Sequence, residues 1–195
     1  MNEKVRTFLC FFIVLILFFS LSVTYSFAAR KNFKIKKVKL NSAMKVQSGT
    51  GRSGGLTALS TMGKKKHRWA EIFVTYKTEL KWSDDVTLKY YVQLGSGSKA
   101  VVLSGAETYI DVARTATHKA VMYIPPSALD RYGEVQRITV ELLHMGEIQD
   151  AESFRYAGKK AWWDGKKIIP GQLRTKSESP FALKDFNEYE LTKLK

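Results

Sequence analysis

The sequence predicts an all-β fold: an immunoglobulin-like antiparallel β-sandwich of roughly seven to nine strands with one short helical turn. Three observations carry that reading. From residue 31 onward apolar residues mostly recur at every second position, the period of a half-buried strand. The alternating runs are short and separated by Gly, Ser, Pro and Asp at sandwich-like spacing. No long helical pattern alternates with the strands, as a parallel sheet would require.

The elements follow in order. Phe33 and Ile35 begin a strand whose phase slips at Lys36-Lys37 before Val38 and Leu40, which predicts an edge strand with a bulge. Ala70, Ile72, Val74 and Tyr76 alternate with Glu71, Thr75 and Lys77. The clearest strand places Val86, Leu88, Tyr90, Val92 and Leu94 on one face, preceded by the turn-forming pair Asp84-Asp85 and ended by Gly95-Ser96-Gly97-Ser98. Three short β-rich runs come next: Ala100 to Leu103, Thr108 to Val112 and Lys119 to Ile124. Pro125-Pro126 stop the last of them, and Ser127 to Tyr132 before Gly133 reads as a single helical turn. Ile138, Val140 and Leu142 form another inward face. A final hairpin is expected from Ser153 to Tyr156, through Trp162-Trp163, to Gln172-Leu173-Arg174, and the tail could pair loosely or form a short helix around Asp185 to Leu191.

Residues 1–28 read as an export signal: Lys4 and Arg6, an apolar run from Phe8 to Val23, then Ser26-Phe27-Ala28 with small residues at the positions signal peptidase recognises. Uncut, the same run would serve as an anchor, although it is a little short of the ~20 residues that span a bilayer. Cleavage leaves a single domain over residues 29–195 with a flexible Gly/Ser/Lys-rich loop at about 45–66, no transmembrane span, and a location in the periplasm, at the cell surface or outside the cell. The one cysteine, Cys10, leaves with the leader, so the domain holds together without disulfides.

Chemistry is sparse. Gly49 to Gly55, GTGRSGG, spells a dinucleotide fingerprint, but neither a buried parallel strand before it nor an acidic residue at the end of the next strand is present. No nucleotide cofactor is expected. His67, His118 and His144 are far apart and lack metal-ligand spacing, so no metal is expected, and no catalytic residue is expected either.

The formal charge is +14, and cutting after Ala28 removes only Lys4, Arg6 and Glu3. Such an excess favours anionic partners, among them anionic glycans and DNA, or simply gives a well-solvated exterior. The candidate residues are Lys64, Lys65, Lys66 and Arg68, and the pair Trp162-Trp163 beside Lys166-Lys167. In a strand pair one indole would face the core and the other solvent, where it could stack on a sugar or an unpaired base. The alternative is that both pack under the final hairpin. A second candidate surface is the edge strand carrying Phe33, Ile35, Val38 and Leu40, whose unpaired backbone could accept a partner strand.

Several segments are also familiar together: WAEIFVTY (Trp69 to Tyr76), LKYYV (Leu88 to Val92), VLSG (Val102 to Gly105), HKAVMYIPP (His118 to Pro126), Trp162-Trp163, and SPFAL with the later Tyr189-Glu190. They resemble a small family of exported pilus-like proteins, best known from a mucin-degrading gut bacterium in which a member is encoded beside type IV pilus genes. The resemblance implies an immunoglobulin-like sandwich, export, and a non-enzymatic role with a pilus or another surface assembly, with pilus or envelope proteins as partners. It offers no catalytic residues.

Overall fold

In the computed structural model of the protein, the described residues are 31–45, 68–114, 117–158, 161–184 and 192. Among them ten strands and one helix form: β1 (Phe33–Lys45), β2 (Arg68–Thr78), β3 (Trp82–Ser83), β4 (Val86–Leu94), β5 (Val101–Tyr109), β6 (Val112–Ala113), β7 (His118–Ile124), α1 (Pro126–Tyr132), β8 (Val135–His144), β9 (Glu147–Phe154) and β10 (Ile168–Pro170). A three-stranded sheet has the order β1-β2-β7 and a five-stranded sheet the order β10-β5-β4-β8-β9. A small ribbon pairs β3 with β6. This is the predicted sandwich, with one strand more than the upper end of the expected seven to nine.

The inner faces are the alternating sets read from the sequence. Ile72, Val74 and Tyr76 of β2, Leu88, Tyr90 and Val92 of β4, Ala120, Met122 and Ile124 of β7, and Ile138, Val140 and Leu142 of β8 are all buried in one core cluster. Each large aliphatic or aromatic side chain removed from water there contributes on the order of 1.5–3 kcal/mol. The bulge in β1 is real: Ile35 stands opposite Tyr76 and Lys37 opposite Thr75, so Lys36 has no register partner. The extra residue lets Phe33, Ile35 and Val38 all enter the core despite their broken alternation.

Two expectations need correction. The breaks expected between residues 100 and 112 do not fall at Gly105, because β5 runs unbroken from Val101 to Tyr109. Gly105 instead marks a close approach: a Cβ there would lie 3.0 Å from the Cβ of Leu173, tighter than ordinary contact. The final hairpin from Ser153 to Arg174 does not form. Instead β9 pairs with β8 across a turn at Met145-Gly146, and β10 pairs in parallel with β5, Ile168 facing Val102. The sandwich is thus antiparallel except at this one edge. The helical turn at residues 126–132 forms as expected, with Pro126 at the start of the helix, where its missing N–H costs nothing.

Both open sides of the sandwich are closed by short contacts. On one side β1 approaches β9, whose Asp150 Oδ2 accepts the Ile35 N–H at 2.8 Å while Gln149 Oε1 accepts the Asn32 N–H at 3.1 Å. On the other, the chain after β10 crosses from β5 to β7. Leu173 enters the core, and Arg174 and Tyr123 exchange backbone hydrogen bonds of 2.8 Å in each direction. Gly95, at φ +69°, makes the β4–β5 loop pass close to α1, where a Cβ would meet the Tyr132 carbonyl at 2.6 Å.

Candidate functional site

With the inner faces filled by apolar side chains, the polar chemistry lies mostly on the outer faces and the β1 edge. On the five-stranded sheet, strand alternation turns Lys89, Tyr91 and Gln93 of β4 and Arg137, Thr139 and Glu141 of β8 outward, in opposed pairs Lys89–Glu141, Tyr91–Thr139 and Gln93–Arg137. The turn after β9 lays two indoles over this surface. Trp162 is buried, and its Nε1–H donates to Thr139 Oγ1 at 2.7 Å. Trp163 stacks on Tyr91 with ring centroids 4.3 Å apart and planes 11° from parallel. The two indoles meet edge to face at 5.4 Å. Arg137 and Lys166 approach the Trp162 ring at 5.4 and 5.5 Å, distances suited to cation–π attraction.

This corrects the expectation of a strand pair: the tryptophans sit in a turn at residues 162–165. The split in burial survives, one indole covered and one partly exposed. Trp163 has one face occupied by Tyr91, so only its remaining surface is open to a ligand. Burial holds the Tyr91 hydroxyl above its ordinary range, and the neighbouring Glu141 carboxylate, to which it is hydrogen-bonded, adds to that rise. Burial also raises Glu141, opposed by the Tyr91 hydrogen bond and by Lys89. Beside the stack runs a groove of about 630 Å³ lined by Lys89, Tyr91, Ser104, Ala106, Ile168 and Arg174, among others.

The outer face of the three-stranded sheet is different in kind. One half is covered by the C-terminal segment. Phe181 stacks on Tyr123 at 5.0 Å and meets Trp69 edge-on at 5.9 Å, while the Tyr123 hydroxyl donates to Glu71 Oε1 at 3.1 Å. The other half is lined with lysine. Lys34 faces Lys77 directly across β1 and β2, Lys37 faces Thr75, and Lys119 of β7 adjoins Thr75 on the other side.

Of the residues singled out from the sequence, Lys64, Lys65 and Lys66 lie outside the described residues. Arg68 is exposed at the start of β2. It is nine residues from Lys77 along one strand, roughly 30 Å, and on the other sheet from Trp162, so the structure does not gather it with either. Phe33, Ile35 and Val38 are buried and Leu40 packs partly against them, so they anchor β1 while its backbone forms the edge. Sequence reasoning passed over Tyr91, Thr139 and Glu141. Their outward phase on two strands was visible, but their meeting with Trp162-Trp163 depends on where the turn folds back. His118 stacks on Tyr76 at 5.0 Å in the interior and His144 packs on Phe33 at 5.0 Å. Among the described residues no group of three or more His, Cys, Asp or Glu side chains is placed to hold a metal ion.

These features define an immunoglobulin-like β-sandwich with aromatic and cationic outer surfaces. A family model matches residues 26–195, and the chain belongs to that family, the exported, pilus-associated proteins known from Akkermansia. A crystal structure of a protein from Akkermansia muciniphila is similar, with a TM-score of 0.66 and 18% identity over 84% of this chain and 94% of that one. At that identity the likeness concerns the fold. No curated protein matches the chain. Among the described residues no helix is long and apolar enough to cross a membrane.

Proposed function

We propose that the protein is a non-enzymatic binding subunit of a type IV pilus or a related surface assembly, exported and retained at the cell envelope or surface, and that it joins its partner through the open edge of β1. The observation that carries this reading is the edge itself. β1 is 13 residues long and, among the described residues, pairs only with β2. Side chains of β9 accept the backbone N–H groups of Asn32 and Ile35, and partner pairing is proposed for the stretch beyond the bulge. A long edge invites β-augmentation, and lysines along it discourage two copies from pairing with each other. Lys37 and Lys39 are exposed there, so an acidic partner strand is the complement.

A photo-crosslinking residue at Lys39 or Ser42, introduced in intact cells, tests the reading. Recovery of a pilin or pilus-assembly subunit from those positions, and not from an equivalent probe at Glu147, is the expected result. Recovery of no pilus component from either position would overturn it.

A further inference from the structure

At the start of β1 a pocket of about 540 Å³ is lined by five cationic side chains, Lys31, Lys34, Lys36, Lys77 and Arg114. They come from four separate segments: the chain before β1, β1 itself, β2, and the residue after β6. Two carboxylates, Glu79 and Asp150, share the lining, and Asp150 is already engaged by the Ile35 N–H. Two features of the fold concentrate the charge. Lys34 and Lys77 stand directly opposite each other, a like-charge cross-strand pair that works against the sheet. Lys36 is the extra residue of the bulge, a device that re-aims a side chain. A solvated surface has no need of either arrangement, since alternating signs would serve solubility better.

We propose that this pocket binds a saccharide bearing a sulfate or phosphate group. The cations take the anionic substituent in charge-assisted hydrogen bonds. Asn32, on the same lining, provides a partner for sugar hydroxyls. Nucleic acid fits less well. The one aromatic side chain in the lining, Phe33, is buried and packed on His144, so no platform is offered to an unpaired base. The site is separate from strand pairing, which uses β1 beyond the bulge, and it does not depend on that reading.

The test is calorimetric titration of the full chain with a heparin-derived tetrasaccharide, its desulfated counterpart, a phosphorylated lipopolysaccharide core oligosaccharide and a short DNA duplex. Binding of a sulfated or phosphorylated sugar without binding of the desulfated one is expected, and the tighter of the two identifies whether host-type sulfate or envelope phosphate is the source. Affinity should fall as salt rises from about 50 to about 200 mM. The double variant Lys34→Ala/Lys77→Ala should lose about tenfold or more in affinity, with a melting midpoint equal to or above that of the parent because the opposed charges are gone. Lys167→Ala should bind as the parent does. The proposal is overturned if no charged sugar binds, if the DNA duplex binds as tightly as the sugars, or if the double variant binds normally. It also fails if binding is lost only together with stability, or if replacing Lys64, Lys65 and Lys66 alone abolishes it.

Discussion

The two outer faces of the sandwich are built from the same kind of strand and finished in opposite ways. On the five-stranded sheet, outward residues are overlaid by a turn carrying two indoles, and the polar groups beneath them are satisfied within the protein, Thr139 by Trp162 and Glu141 by Tyr91. On the three-stranded sheet, the half near the start of β1 is left uncovered, and like charges oppose each other at Lys34–Lys77. One face is stabilised by its own chain. The other carries charge at some cost to the sheet, as expected of a surface kept for a partner.

The largest effect that would test this contrast is Trp162→Ala. It deletes a buried indole and one of the two hydrogen bonds of the Thr139 hydroxyl, the other being to Ser153 Oγ at 2.6 Å, and it should lower unfolding free energy by about 3–5 kcal/mol in urea titration. Tyr109→Phe probes the interior for comparison. It removes the donor to the buried Glu107 carboxyl at 2.8 Å and should cost about 1–3 kcal/mol in the same assay. Trp163→Ala removes a partly exposed indole with its stack on Tyr91 and its edge contact with Trp162, so about 1–2 kcal/mol is expected. Lys34→Thr should have the opposite sign, raising stability by a few tenths of a kcal/mol, roughly. A loss of stability there would mean that the lysine face is structural.

The smallest effect concerns pH. Glu141 has a folded-state pKa above its ordinary 4.5, so the folded protein holds that proton more tightly than the unfolded chain. Its contribution to stability is fully present below the unfolded value and is lost as pH rises through the folded one. Glu141→Gln should flatten the pH dependence of the melting midpoint in that weakly acidic window, and a slope unchanged from the parent would show that the carboxyl is not held in this way.

The strands were legible because period-two patterning is a local property. Even the slip at Lys36-Lys37 announced the bulge, since only an extra residue reconciles Ile35 and Val38 on one face. Gly105 misled because a glycine in a β-rich run has two meanings, a turn or a close approach, and the neighbour that decides, Leu173, is distant in sequence. Parallel pairing of β10 was invisible for a similar reason: three residues carry too little pattern to name a partner. The family was readable from scattered segments that together span most of the domain. The cationic pocket was legible only in part: Lys31, Lys34 and Lys36 lie close together along the chain, but Lys77 and Arg114 join them only in the folded protein, whereas the run at Lys64 to Arg68 drew attention by adjacency alone.

The crossing segment that seats Leu173 against Gly105 has a further consequence, for the order of events in time. Its partners, β5 and β7, are separated from it by many intervening residues, and neither offers a docking edge until the two sheets have met. Long-range closure of this kind is slow and comes after local pairing. The hairpin of β8 and β9 should therefore acquire protection from hydrogen exchange early in refolding, and the mutual hydrogen bonds of Tyr123 and Arg174 last. Until that latch closes, the chain would present one side of its core to whatever lies nearby, and the interval between the two events sets how long the newly made protein remains vulnerable to proteases.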